Sequence, residues 1–237
     1  MYKILGYIKN KIKRFLINKP FVKESFLKIS YSQEGEDLIL NRIFENQENG
    51  FYIDVGAHHP RRFSNTYLFY KKGWRGVNID AMPGSMELFK KERPYDVNLE
   101  IAVAKESKDL TFYIFNEKAL NTFSKIQATK KNHYKNFRIV EEKIIKAYPF
   151  MKIAQEYSID LSKVDFLSID VEGLDEEVVE SIDFGILKPK VILIELEKEG
   201  ITNVTNSKIY KLLIRHDYVF FAKTYNTSFF VLPTVIN

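Results

Sequence analysis

The sequence contains no cysteine. Disulfides and zinc–thiolate sites are thereby excluded, and a reducing compartment is the natural setting, so a cytoplasmic protein is expected. Long apolar runs are absent too. None approaches the ~18 consecutive residues that would span a bilayer. Glycine is sparse, ten among 237 residues, and its arrangement limits the ligand. There is no G-x-G-x-x-G, the spacing that lets a pyrophosphate approach the backbone, and no G-x-x-x-x-G-K-[ST] phosphate loop. A dinucleotide-linked dehydrogenase and a P-loop nucleotidase are therefore disfavoured. No internal repeat or low-complexity segment occurs.

What is present is an apolar content of 45%, enough for one substantial core. The net charge of +5 is unevenly placed: residues 1–30 carry eight Lys/Arg and a single Glu, which leaves the remainder close to neutral. The basicity belongs to a tail. A nucleic-acid partner would call for a basic stripe across the folded body, and none is expected. The chain accordingly divides into a basic arm, 1–30, and one catalytic domain, 31–237. In the arm, Ile4, Leu5, Ile8, Ile12, Phe15 and Leu16 fall within an arc of roughly 120° at ~100° per residue, with Lys3, Lys13 and Arg14 outside it. This predicts an amphipathic helix ending near Pro20, without the apolar centre and cleavage site of a signal peptide. Three readings follow. The helix packs on the domain or on a second subunit of a homo-oligomer; residues 1–20 touch an anionic membrane surface from the cytoplasmic side; or the arm is loosely ordered.

The body reads as strands alternating with helices. Tyr31 to Phe44 is an expected helix. Phe51–Val55 is a strand, followed by the turn Gly56-Ala57-His58-His59-Pro60, a helix from Ser64 to Lys72 and a strand from Gly76 to Asp80. That is a βαβ nucleotide-binding unit. Further helices are expected at Pro83–Glu92, Met151–Tyr157, Leu174–Ser181 and Ser207–His216. Further strands are expected at Asp96–Ala104, Leu110–Phe115 (at an edge), Arg138–Tyr148, Val164–Asp170 and 190–195. Tyr218–Ala222 and Ser228–Leu232 form a closing pair. Residues 116–137 show no clean period and read as a lid or substrate loop. The fold class is an α/β open sheet, mostly parallel, with an antiparallel C-terminal edge hairpin.

Ligands of such sheets bind outside the carboxyl ends of the strands, at the switch point of strand order. Asp54, Asp80, Asp170 and Glu195 all sit at such ends. With one glycine in the first turn, a ligand lacking pyrophosphate fits better, and S-adenosylmethionine is one: an amino acid, a ribose and an adenine. Gly56 would admit its methionine portion, and Asp80 would accept hydrogen bonds from the ribose hydroxyls.

These motifs have a family likeness. YSQEGEDLIL (31–40), FYIDVGAHHP (51–60), RFSNTYLFYKKGWRGVNIDAMP (62–83), ALNTFS (119–124) and VDFLSIDVEG (164–173) resemble the FkbM family of methyltransferases over roughly residues 31–197. The resemblance implies a class I, Rossmann-like fold, S-adenosylmethionine as methyl donor, and O-methylation of sugars, often in bacterial surface-polysaccharide and capsule synthesis. It also implies a cofactor set of Gln33, Asp54, Gly56, Ser64, Asp80 and Ala102, a substrate-side set of Asn121, Thr122 and Ser124, and the D-V-E-G run containing Asp170, Glu172 and Gly173.

Transfer from a sulfonium to an alcohol needs alignment and removal of one proton, by a base or through a divalent metal. Asp170 and His59 are the candidate catalytic residues. Asp170, Glu172 and Glu195 form a candidate site for Mg²⁺, or for Mn or Fe if His59 joins them. The acceptor is expected to be a sugar or nucleotide-linked sugar. The alternatives are a nitrogen or lipid-linked acceptor, or a non-catalytic membrane-associated protein that keeps the fold. His58, His133 and His216 receive no role, Trp74 is assigned to the core, and Phe115, Phe123 and Tyr134 are candidates to line a sugar cleft.

Overall fold

A computed structural model of the chain describes residues 27–196 and 200–235. The amphipathic pattern of residues 1–20 lies outside the described residues. The elements are α1 (Glu36–Ile43), β1 (Phe51–Val55), α2 (Tyr67–Lys71), β2 (Arg75–Asp80), α3 (Ser85–Glu92), β3 (Val97–Glu100), β4 (Ala102–Val103) and β5 (Lys108–Phe115). After a 3₁₀ turn at Lys118–Leu120 come α4 (Lys125–Lys131), β6 (Ile139–Tyr148), α5 (Phe150–Glu156), β7 (Val164–Ile169) and α6 (Asp175–Glu180). The chain ends with β8 (Val191–Glu195), α7 (Ile201–Asn206), α8 (Lys208–Arg215), β9 (Val219–Lys223) and β10 (Thr227–Val231).

Seven strands form the main sheet in the order β3-β2-β1-β7-β8-β10-β9. β3, β2, β1, β7 and β8 are mutually parallel, while β10 runs antiparallel to both β8 and β9. The expected mostly parallel sheet with an antiparallel C-terminal hairpin is therefore the observed one. β10 is inserted between β8 and β9, so the sheet's outermost strand on that side is β9. The chain leaves β1 toward β2 and β3 on one side, and β7 and β8 lie on the other. The switch point is thus between β1 and β7.

Both faces of the sheet are covered, which is why its central strands are continuous apolar runs. Every residue of β7 is buried. On one face Ile53, Val55, Leu167 and Ile192 pack with Phe150 and Ile153 of α5, Val178 of α6 and Leu213 of α8. On the other, Tyr52, Phe166, Leu193 and Phe229 pack with Leu40 of α1, Phe69 of α2 and Trp74. Trp74 is core, as its position predicts. Each fully buried aliphatic side chain contributes about 1.5–3 kcal/mol, so the central strands dominate the stability.

Three expectations change. The helix expected from Tyr31 begins at Glu36, because Gly35 turns left-handed at φ +89 and residues 31–35 form a loop. That loop is held by Asp37, which accepts from Ser30 Oγ, Ser32 Oγ and the Tyr31 amide. The strand expected over 96–104 breaks at Ile101, whose amide donates to the Asp80 carbonyl. β3 stays in the main sheet, while β4 joins a second sheet of order β4-β6-β5, where β5 takes the edge position expected of it. Residues 116–137 are not a bare loop: α4 starts at Ser124, whose Oγ accepts from the Gln127 amide. Its sequence, KIQATKK, has no apolar stripe to announce a helix.

Candidate active site

A cavity of about 770 Å³ opens at the carboxyl ends of β1, β2, β7 and β8. Its walls include Gln33, Gly56, His59, Asp80, Ala102, Asn121, Asp170, Glu172 and Glu195, residues the sequence singled out from six separate segments. The switch point brings them together.

On the β2 side, the Asp80 carboxylate accepts from the His58 amide (2.9 Å) and the Met82 amide (2.7 Å). Burial pushes its pKa up, and these two amides pull it back down. The carboxylate is thus fixed in place with remaining lone pairs for further donors. Ile79, Ala81, Ile101, Ala102 and Val103 supply apolar walls beside it. An acid flanked by aliphatic walls is what a ribose next to a flat base requires. Gly56 stands at φ +88, and a Cβ there would lie 1.6 Å from the Asp170 carbonyl oxygen. Its glycine is therefore demanded first by the backbone leaving β7, in addition to any demand from a ligand.

Asp54, Ser64, Thr122 and Ser124 do not line the cavity; they hold its walls. Asp54 is buried at the sheet and accepts from Thr66 Oγ1 at 2.9 Å, with burial raising its pKa and the Arg93 charge opposing. Ser64 Oγ accepts from the Tyr67 amide and its own amide donates to the Tyr31 carbonyl. Thr122 Oγ1 donates to the Glu172 carbonyl, and Ser124 caps α4. Behind Asp54 lies a network that the sequence reading missed. Arg93, fully buried, donates to Asp96 (2.8 Å), Thr66 Oγ1 (3.0 Å) and Tyr52 Oη (2.6 Å). An R-P-Y-D run between a helix and a strand gives no warning that its arginine points inward.

On the β7–β8 side, carboxylate oxygens of Asp170, Glu172 and Glu195 lie within 4.8 Å of one another. Asp170 Oδ1 is buried without a hydrogen-bond partner. Burial, and then the Glu195 carboxylate beside it, hold the Asp170 carboxyl well above the usual range. Glu172, in the left-handed region at φ +51, forms an ion pair with Lys131 Nζ at 2.6 Å. Like charges this close resist joint ionisation, which adds to the effect of burial on Asp170.

His59 lines the cavity but is outside this carboxylate group. Its Nδ1 accepts from the amides of Arg61 and Arg62, each at 3.0 Å. That nitrogen is committed to the turn and is not available as base or metal ligand. His58, unassigned from the sequence, also lines the cavity. Burial, followed by the nearby Arg62 charge, lowers its pKa to about 4, so its imidazole is neutral at physiological pH. Phe123 and Tyr134 line the cavity as expected, while Phe115 is buried beside it.

A seven-stranded sheet of this order, with an acid closing β2 and a cleft at the β1–β7 switch point, is the layout of a nucleoside-binding α/β sheet. The family model for the FkbM methyltransferase domain matches residues 54–220. The chain belongs to that family, with S-adenosylmethionine the expected methyl donor. Among solved structures it is similar to a TehB-like SAM-dependent methyltransferase from Corynebacterium glutamicum, at 9% identity and a TM-score of 0.41, over 96% of this chain and 98% of that one. No curated protein matches it. Among the described residues no helix is long and apolar enough to cross a membrane.

Proposed function

We propose that the chain transfers the methyl group of S-adenosylmethionine to a hydroxyl of a sugar or nucleotide-linked sugar. The observation that carries this reading is one continuous cavity running from Asp80 to the Asp170–Glu195 pair. Asp80 and the aliphatic walls hold the ribose and adenine. The sulfonium, one carbon from the ribose, then lies over β1 and β7, with the acceptor beyond it over β7 and β8. As the acceptor oxygen attacks, the sulfur–methyl bond breaks and the oxygen–methyl bond forms. The hydroxyl proton passes to the Asp170–Glu195 pair, and S-adenosylhomocysteine leaves. The donor is already activated, so positioning supplies most of the rate.

The donor set of Asp170, Glu172 and Glu195, all carboxylate oxygens, fits a hard divalent cation such as Mg²⁺ or Mn²⁺. Such an ion would orient the acceptor hydroxyl and lower its pKa. An iron site is disfavoured, since the His59 Nδ1 that would complete it is engaged by two amides. We place the activity in the cytoplasm, as a step in surface-polysaccharide synthesis, on the family likeness and the absence of cysteine.

The test combines calorimetry and turnover. S-adenosylhomocysteine is expected to bind the wild-type chain and to bind Asp80→Ala about a hundredfold more weakly or worse, given two or more charged hydrogen bonds at stake. Methyl transfer to a panel of glycosides, nucleotide sugars and amines, with and without EDTA, identifies the acceptor atom. Absence of S-adenosylhomocysteine binding to the wild-type chain would refute the reading, and a rate indifferent to EDTA would remove the cation.

A further inference from the structure

We propose that Asn226 forms an acceptor subsite that binds a second hydroxyl of the acceptor beside the one being methylated, which makes the preferred acceptor a diol. This deepens the reading above and rests on it.

The starting observation is an orphan. Asn226 lines the cavity, and its side-chain Oδ1 is buried with no hydrogen-bond partner. An unpaired buried amide oxygen costs about 1–3 kcal/mol, so it is retained at a loss unless a ligand supplies the donor.

The second observation is how firmly this side chain is aimed. Asn226 sits in the turn between β9 and β10. Its backbone amide donates to Glu34 Oε2 at 2.9 Å. Thr224 and Thr227 donate their hydroxyls to Glu36 Oε1, each at 3.2 Å. Lys223 Nζ donates to the carbonyls of Leu196, Tyr225 and Asn226 at 3.0–3.2 Å, and the Leu196 amide donates to the Asn226 carbonyl at 2.9 Å. Glu36 is only 2% exposed, so the Thr227–Glu36 bond is shielded from water. Two of the acids of the S-Q-E-G-E-D run thus clamp the turn, and the same run delivers Gln33 into the cavity. The clamp holds the turn that carries Asn226 against the cavity.

The third observation is position. Thr227 is the register partner of Glu195, so Asn226 stands beside the Asp170–Glu195 end. From β2, which carries Asp80, to β10 are four strand spacings, about 19 Å at ~4.8 Å each. A nucleoside anchored at Asp80 does not reach the turn. The subsite therefore belongs to the acceptor.

Its chemistry follows from two unpartnered buried oxygens that line the same cavity, Asn226 Oδ1 and Asp170 Oδ1. They call for hydrogen-bond donors. One acceptor hydroxyl placed at Asp170 and a second at Asn226 satisfy both. The family model covers residues 54–220, so Gln33 and Asn226 both lie outside it.

The experiment uses the full chain with Asn226→Leu, which removes the hydrogen bond while leaving the backbone amide to Glu34, and Asn226→Asp, which keeps an oxygen. Acceptors are methyl pyranosides, cis- and trans-1,2-cyclohexanediol, and cyclohexanol as the single-hydroxyl control. The wild-type chain is expected to prefer a diol to cyclohexanol by about tenfold or more in kcat/KM, because a site built to bond a hydroxyl rejects the analogue without it. Asn226→Leu should abolish that preference, Asn226→Asp should retain most of it, and S-adenosylhomocysteine affinity should stay within twofold in both. A preference unchanged in Asn226→Leu would overturn the proposal, as would a wild-type chain that favours no diol. A parallel loss of S-adenosylhomocysteine affinity would reassign Asn226 to the methionine end. A wild-type chain that fails to bind S-adenosylhomocysteine would bring down the methyltransferase reading itself and the subsite with it.

Discussion

The carbonyl oxygen of Asp170 fills the space in which residue 56 would carry a side chain: a Cβ on Gly56 would come within 1.6 Å of it. The atom in the way is backbone, so no rotamer change relieves the clash. The φ of +88 at Gly56 adds strain for any other residue, about 1–2 kcal/mol. Gly56→Ala is expected to separate β1 from the end of β7 and to abolish S-adenosylhomocysteine binding. Thermal unfolding and calorimetry on the variant check both. A variant with wild-type Tm and affinity would show that the turn is looser than its geometry states.

Asp170 gives a pH signature. Its folded pKa is raised, so the native state holds a proton more tightly than the unfolded chain. Stability from this group is present at low pH and is lost as pH rises through the raised value. Asp170→Asn removes the term. Its Tm is expected to gain on the wild type as pH rises from 5 to 8, whereas methyl transfer falls sharply. Parallel Tm–pH curves for the two proteins would contradict the raised Asp170 value.

His58 runs the other way. Its folded pKa of about 4 lies below the ordinary 6.5, so its contribution is complete above 6.5 and is lost as pH falls toward about 4. NMR titration of the imidazole is expected to show a neutral ring down to pH 5, and His58→Gln should lose less Tm than the wild type between pH 7 and pH 5. A midpoint near 6.5 would place the ring in water.

Arg93 and Asp96 form a buried ion pair at 2.8 Å with both side chains fully covered. Asp96 also accepts from Tyr52 Oη, the Gly76 amide and Asn78 Nδ2. Arg93→Met therefore leaves a buried carboxylate without its cation and is expected to destabilise by ~3–5 kcal/mol. Adding Asp96→Leu should not restore stability, since it strands three donors. Urea denaturation of the single and double variants decides the point. The effect should reach the site as well, because Arg93 holds Thr66, which donates to Asp54 beneath the cofactor turn.

Much of the architecture was legible in order. The runs FYIDV, VDFLSID and KVILIE could only be buried strands, and their acids had to emerge at the carboxyl ends. That placed Asp80, Asp170 and Glu195 around one cleft. The polar helix α4 left no mark because its sequence lacks an apolar stripe, and the break at Ile101 left none because both halves are strand. Asp54 and Ser64 were drawn to the site by motif; packing put them one layer behind it. His59 lines the cavity as expected, with its Nδ1 taken by two turn amides that the sequence did not announce.

The amino-acid order by itself determined the alternation of strands and helices and the acids that close the strands. These are local properties, set by periodicity, by the scarcity of glycine and by residue chemistry. Only the tertiary structure decided which carboxylates stand together, that Arg93 is internal, and that a turn near residue 226 meets a loop near residue 34. Those facts depend on contacts between segments far apart in the chain. Side-chain spacing along one segment carries no record of them, because they exist only once β10 has been inserted beside β8.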